Sequence, residues 1–122
     1  MATIICLSVV LVIFLHVGFL IVEMFFWEKD SVQEKFGLKD KPRGFATDSK
    51  ALAANIGLYN GFLAAGLLWG LSLGPAGTSI KVFFLVCVIV AGVFGALTVK
   101  LRKILFVQAL PGAIALALTW WY

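Results

Sequence analysis

Six polar side chains able to do chemistry stand inside otherwise apolar stretches of this sequence: His16, Glu23, Asn55, Tyr59, Asn60 and Gln108. An acid, amide or imidazole among apolar residues costs free energy unless it finds a partner. His16 and Glu23 are seven residues apart. On a helix that spacing is nearly two turns, so both share a face at about 10 Å along the axis. Asn55 and Tyr59, four apart, share a face of a second helix. A carboxylate among amides and a phenol suits a small cationic or amphipathic ligand. Glu23 would supply the charge, His16 lies on the same face, and Asn55, Tyr59, Asn60 and Gln108 would orient the molecule. A proton would compete for Glu23. Two other readings stand beside this one. His16 and Glu23 could act as an acid/base pair on a lipid or sterol-like substrate. Alternatively, all six groups are hydrogen-bonding glue between the helices of a structural or accessory subunit.

Any of these readings needs helices that place the six groups together. Of the 122 residues, 62% are hydrophobic and 13% charged, against about 25% charged in soluble domains. A chain this short cannot bury so much apolar surface in water. One membrane domain over 1–122 is expected, all-α and built as a four-helix bundle. About 20 apolar residues cross about 30 Å of hydrocarbon, and the apolar runs place helices at about 3–27, 49–71, 80–99 and 103–122. The first run exceeds the length of a secretory h-region and ends in Glu23-Met-Phe-Phe-Trp27 without small residues, so it is read as a retained helix.

Charge in the gaps sets the orientation. Nine of the ten Lys and Arg side chains fall in two gaps: Lys29, Lys35, Lys39, Lys41, Arg43 and Lys50 in the first, Lys100, Arg102 and Lys103 in the third. The second gap, with its Gly74-Pro-Ala-Gly77 turn, has only Lys81. The excess of positive charge places loops 1 and 3 in the cytoplasm and both termini outside. Trp27 marks the inner boundary, and Trp69, Trp120, Trp121 and Tyr122 the outer one. The expected location is the plasma membrane of a bacterial cell. In this orientation Glu23, Asn55 and Gln108 share a depth in the cytoplasmic half, with His16 and Asn60 nearer the midplane. In loop 1, Ser31 and Glu34 have capping-box spacing, and Val32, Phe36 and Leu38 give an apolar edge. A short surface helix and a solvated loop are both compatible with this.

Small residues suggest how the helices meet. Ala53, Gly57, Gly61 and Ala65 repeat every fourth position and form a smooth stripe for a close backbone approach. The neighbour is another helix of the chain or, in a homodimer, helix 2 of a second copy. Gly66 and Gly70 repeat the spacing on another face, as do Ala91 and Gly95 on helix 3. Pro111 either kinks helix 4 beside Gln108 or sits in its first turn. Cys6 and Cys87 read as small buried hydrophobes. There is no zinc-spaced His/Cys cluster, phosphate loop or nucleophile elbow, so no metal, cofactor or catalytic residue is assigned. The expected partners are the lipid bilayer and a small-molecule or lipid ligand, with no nucleic acid.

The run Lys50-Ala-Leu-Ala-Ala-Asn55-Ile-Gly57-Leu-Tyr59-Asn60-Gly61-Phe-Leu-Ala-Ala-Gly66-Leu-Leu-Trp69-Gly70 resembles the signature of the domain of unknown function 1304 family, small membrane proteins of bacteria and fungi. The resemblance extends to His16 and Glu23-Met-Phe25, Val90-Ala-Gly92, and Gln108-Ala-Leu-Pro111. It implies a four-helix membrane protein and no assigned activity.

Overall fold

A computed structural model describes residues 2–121 of the chain. Tyr122, placed at the outer boundary from sequence, lies outside the described residues. The order is α1 (Ala2–Phe25), α2 (Asp30–Lys35), α3 (Phe45–Asp48), α4 (Lys50–Ser72), α5 (Thr78–Val99) and α6 (Leu110–Trp121). One-turn 3-10 segments stand at Leu38–Asp40 and Gly74–Gly77, and a π-helical turn, Leu105–Ala109, leads into α6. No strand occurs among the described residues. Three helical stretches, Ala2–Phe25, Lys50–Ser72 and Gly74–Val99, are long and apolar enough to cross a membrane. The expected fourth span is apolar but shorter, Leu105–Trp121.

The four long helices close a ring in which α1 packs on α4, α4 on α5, α5 on α6 and α6 on α1. Neighbours run antiparallel. Gly57 faces Glu23 while Gly61 faces Leu20; Gly66 faces Phe84 while Gly70 faces Lys81; Gly92 faces Ala109 while Gly112 faces Val88. The apolar core, Val9, Val12, Leu67, Leu85, Val88 and Ala115, lies toward the end where α1 begins and α4 finishes. Large side chains such as Phe14, Leu52, Phe94 and Trp120 point outward. Each helix is apolar all round, which is the pattern of a helix surrounded by apolar material on every side.

Glycine sets the spacing of the helices. A methyl on Gly57 would stand 3.0 Å from Met24 Cγ and 3.1 Å from the Leu20 carbonyl oxygen. On α5 the close approach is at Gly92, where a methyl would meet the Ala109 amide nitrogen at 2.8 Å. The small pair expected there was Ala91 and Gly95. Instead the face is rotated by one residue: Gly92 and Ala96 are buried and Ala91 is exposed. Of the α4 stripe, Ala53 and Gly57 are buried, Gly61 is half-buried against Leu20, and Ala65 is exposed. The inner part of the stripe therefore meets α1 of the same chain.

Pro111 accounts for the π turn. It has no N–H to donate, and its ring would collide with the carbonyl of Val107 in a regular helix. The wider Leu105–Ala109 turn precedes it, and α6 begins at Leu110 with Pro111 in its first turn, as the first-turn alternative had it. Loop 1 also departs from expectation. Lys29 caps α2 with no side-chain bond, so Ser31 lies inside the helix and the capping box is not formed. Glu34 instead stands 3.9 Å from Lys39. The apolar edge packs inward, with Val32 and Leu38 buried and Phe36 edge-on to Trp27 at 5.2 Å. Cys6 is exposed and Cys87 half-buried, and both are free. Cys6 was expected to be buried, but it faces out because the core side of α1 runs through Val9, Val12 and His16.

Gly92→Ala should lower the melting temperature of the detergent-solubilised protein, because backbone atoms of Ala109 have to move; overpacking costs about 1–3 kcal/mol. Gly57→Leu should do the same. Gly18→Ala meets nothing within 4 Å and should leave the melting temperature unchanged or higher. Equal effects at Gly92 and Gly18 would contradict the close α5–α6 approach.

Candidate functional site

Helix α1 carries two buried ionisable groups on the bundle's interior face, and each meets a different helix. Glu23 is 9% exposed and His16 fully buried. Glu23 lies opposite Gly57, and this close approach lets Asn60, one turn further along α4, reach it. The Asn60 amide donates from Nδ2 to Glu23 Oε2 at 2.8 Å. His16 Nδ1 lies 2.8 Å from the Val12 carbonyl oxygen. A carbonyl can only accept, so Nδ1 carries the proton and Nε2 of a neutral ring is an acceptor. The Gln108 amide nitrogen faces that Nε2 at 3.4 Å, from within the π turn. Such turns reorient side chains on a helix, and here the reoriented residue is the one facing His16. Phe19 stacks edge-on against the imidazole at 5.6 Å.

The polar groups thus form two inter-helix pairs, Glu23 with Asn60 and His16 with Gln108. No hydrogen bond joins His16 to Glu23, although both lie on the buried face of α1. Asn55 and Tyr59 belong to neither pair, and both are exposed on α4. Five residues at 100° each put Asn55 about 140° from Asn60 around the helix, so the two cannot face α1 together. The expected depths change accordingly: Asn60 rather than Asn55 is level with Glu23, and Gln108 is level with His16.

Glu23 is a carboxylate without a cation. Only Oε2 takes part in a hydrogen bond, and no Lys, Arg or His lies within ion-pair reach among the described residues. Among those residues, Thr119 Oγ1 is the sole fully buried side-chain polar atom that lacks a partner. Glu23 Oε1, also without a bond, therefore keeps access to the surface. Among the described residues no three His, Cys, Asp or Glu side chains gather as a metal site.

Sequence reasoning passed over Lys81, treated as a loop charge outside the bundle. It lies on the inner face of α5, 8% exposed, with its stem against Gly70 and its ammonium donating to the Gly74 carbonyl at 3.3 Å. Its signal was Gly70, which leaves room for the long stem. The antiparallel register places Thr119 of α6 at about the same level. At the opposite end, Glu28 ties loop 1 to α4: Oε2 accepts from Lys50 Nζ, and Oε1 accepts from the Thr47 hydroxyl at 3.0 Å. These bonds hold the Glu28 carboxyl below its ordinary range, Lys50 contributing most.

These features define an all-α protein of apolar helices whose interior polar groups pair between α1 and α4 and between α1 and α6. The family model "Protein of unknown function (DUF1304)" matches residues 10–120, and the chain belongs to that family. Neither the curated proteins nor the solved structures include a match.

Asn60→Ala should destabilise the protein by about 1.5–3 kcal/mol, the range for a hydrogen bond to a charged group, whereas Asn55→Ala should fall within about 0.5 kcal/mol of wild type. Equilibrium unfolding in mixed micelles checks both, and equal losses would contradict the rotation of α4. The Glu28 tie has a defined pH dependence. A carboxyl held low in the folded state stabilises above its unfolded pKa, and that stability is lost as pH falls through the folded value. In a carbon-13 NMR titration the Glu28 midpoint should rise in Lys50→Met; an unmoved midpoint would contradict the tie.

Proposed function

We propose that this chain is an integral membrane protein that binds a small cationic, amphipathic molecule through Glu23, with Asn60 orienting the carboxylate. The membrane reading rests on three helices of spanning length and apolarity and on nine of the ten basic residues lying at one end. That charge bias supports an orientation with loops 1 and 3 in the cytoplasm.

One observation carries the binding reading: a buried carboxylate that meets an amide but no cation among the described residues. An acid inside a membrane span is costly and marks a functional site by default. With no internal counter-ion, its neutralisation falls to a proton or to a ligand. Oε1 is the free acceptor for that ligand. The apolar core between the helices closes the other end of the bundle, so the approach to Glu23 is from the loop-1 side or laterally from the bilayer. Transport requires a second access route, and the same carboxylate would serve it by exchanging cation for proton.

The accessory-subunit reading has its own support, since both polar pairs bridge helices as glue would. The two separate on ligand-dependent stability. Tetraphenylphosphonium, a lipophilic organic cation, should raise the melting temperature of the wild type in detergent. Glu23→Gln should fold with an undiminished melting temperature, because the amide carbonyl still accepts from Asn60, and should bind the cation at least about tenfold more weakly, the loss of one charge-assisted contact. Unchanged binding in Glu23→Gln would remove Glu23 from the site. No response of the wild type across a panel of organic cations, sterols and lipids would favour the accessory subunit.

A further inference from the structure

Just beyond the last turn of α1 the chain forms a second, separate feature: a surface cavity of about 220 Å³ bounded by Phe26, Trp27, Glu28, Lys29 and Lys50, with Met24 on its apolar side. Its charges are arranged with a surplus. Both oxygens of Glu28 are occupied, one by Lys50 and the other by Thr47. Lys50 thereby uses one of its three donors, and the other two remain available. Lys29 has no carboxylate within ion-pair reach among the described residues; its ammonium rests 4.4 Å from the centre of the Phe26 ring. Two ammonium groups against one carboxylate leave the cavity with one net positive charge. The aromatic wall is fixed, because the Trp27 indole N–H donates to Ser49 Oγ at 3.0 Å and its ring meets Phe36 edge-on. Phe25, exposed at the last turn of α1, also lines the cavity.

We propose that this cavity seats the phosphodiester group of a membrane phospholipid, held by Lys29 and Lys50. A phosphodiester carries one negative charge and accepts charge-assisted hydrogen bonds from ammonium groups, which matches the net charge and the free donors. The level matches as well. The inference rests on the membrane reading above, in which the end of α1 and Trp27 lie at the inner boundary, where lipid phosphates lie and acyl chains run down the adjoining helix. Glu28 holds Lys50 in place through the loop, so the cavity is preformed rather than assembled by the lipid.

Native mass spectrometry of the detergent-purified full chain with phosphatidylglycerol tests this, with inorganic phosphate and glycerol phosphate as comparisons. The expected result is a one-lipid adduct whose affinity falls at least about tenfold in Lys29→Gln and in Lys50→Gln, the scale for losing a charge-assisted bond. Lys29 makes no ion pair, so its variant keeps the fold if Lys50→Gln does not. Lys41→Gln removes the same charge from an exposed position outside the cavity and should leave the adduct intact. Equal weakening by Lys41→Gln would overturn the site in favour of a diffuse basic surface, and equal binding of inorganic phosphate would overturn the lipid as its source. Alkaline carbonate extraction separates the failures. Protein released from membranes refutes the membrane reading itself, whereas protein that stays in membranes yet forms no adduct refutes this site alone. Glu23→Gln should retain the adduct; its loss there would overturn the separation of the two sites.

Discussion

The approach of α1 to α4 at Gly57 determines what the interior of this bundle can hold. Glu23 and Met24 lie so close to the glycine that a methyl there would stand 3.0–3.1 Å from them, and the helices are close enough for Asn60 to reach the carboxylate across the interface. Without that bond the buried acid would lose its one internal partner, and an unsatisfied polar group in an apolar interior costs about 1–3 kcal/mol. The second polar pair depends on comparable geometry elsewhere. Gly92 lets α5 lie against Ala109, and the π turn before Pro111 presents Gln108 to His16. Small residues set the distances, and those distances determine which polar groups meet.

The arrangement is one-sided. Val9, Val12, Leu67, Leu85, Val88 and Ala115 fill the bundle toward the start of α1, beyond which lies the buried Lys81 with its single carbonyl acceptor. Glu23, Asn60 and the Glu28–Lys50 tie lie at the other end. A molecule attracted by Glu23 meets a packed apolar core on one side and an aromatic, basic rim on the other. Passage from one end of the bundle to the other would require that core to rearrange.

Much of this was legible in the sequence because apolar run length and loop charge are strong signals. The all-α class, the four apolar helices and the turn at Gly74–Gly77 follow from them; the partners do not, since Glu23 was set level with Asn55 and Gln108 but bonds to Asn60, while Gln108 faces His16. The rotation of each helix was harder to read. Asn55, Tyr59 and Asn60 are nearly contiguous, and hydropathy alone does not tell which of them faces inward on a helix that is apolar all round. The buried set Ala53, Gly57, Asn60, Ala64 and Leu67 shows the answer, a stripe at spacings of four and three that includes Asn60 and omits the other two. Ser31 and Glu34 matched a capping pattern, but α2 begins two residues too early for it to form. Lys81 was misplaced because a positive charge near a turn reads as solvated. Only Gly70 opposite it shows that the stem has room inside, with its head reaching the turn after α4.

The central claim is that the Glu23 carboxylate, lacking a cation among the described residues, takes one from outside. Infrared difference spectroscopy of the protein in lipid, recorded with and without tetraphenylphosphonium, examines that carboxyl group directly. The account predicts a cation-induced change in the carboxyl stretching region that is present in the wild type and absent in Glu23→Gln. A difference spectrum that is flat in this region, or one that persists unchanged in Glu23→Gln, would contradict it.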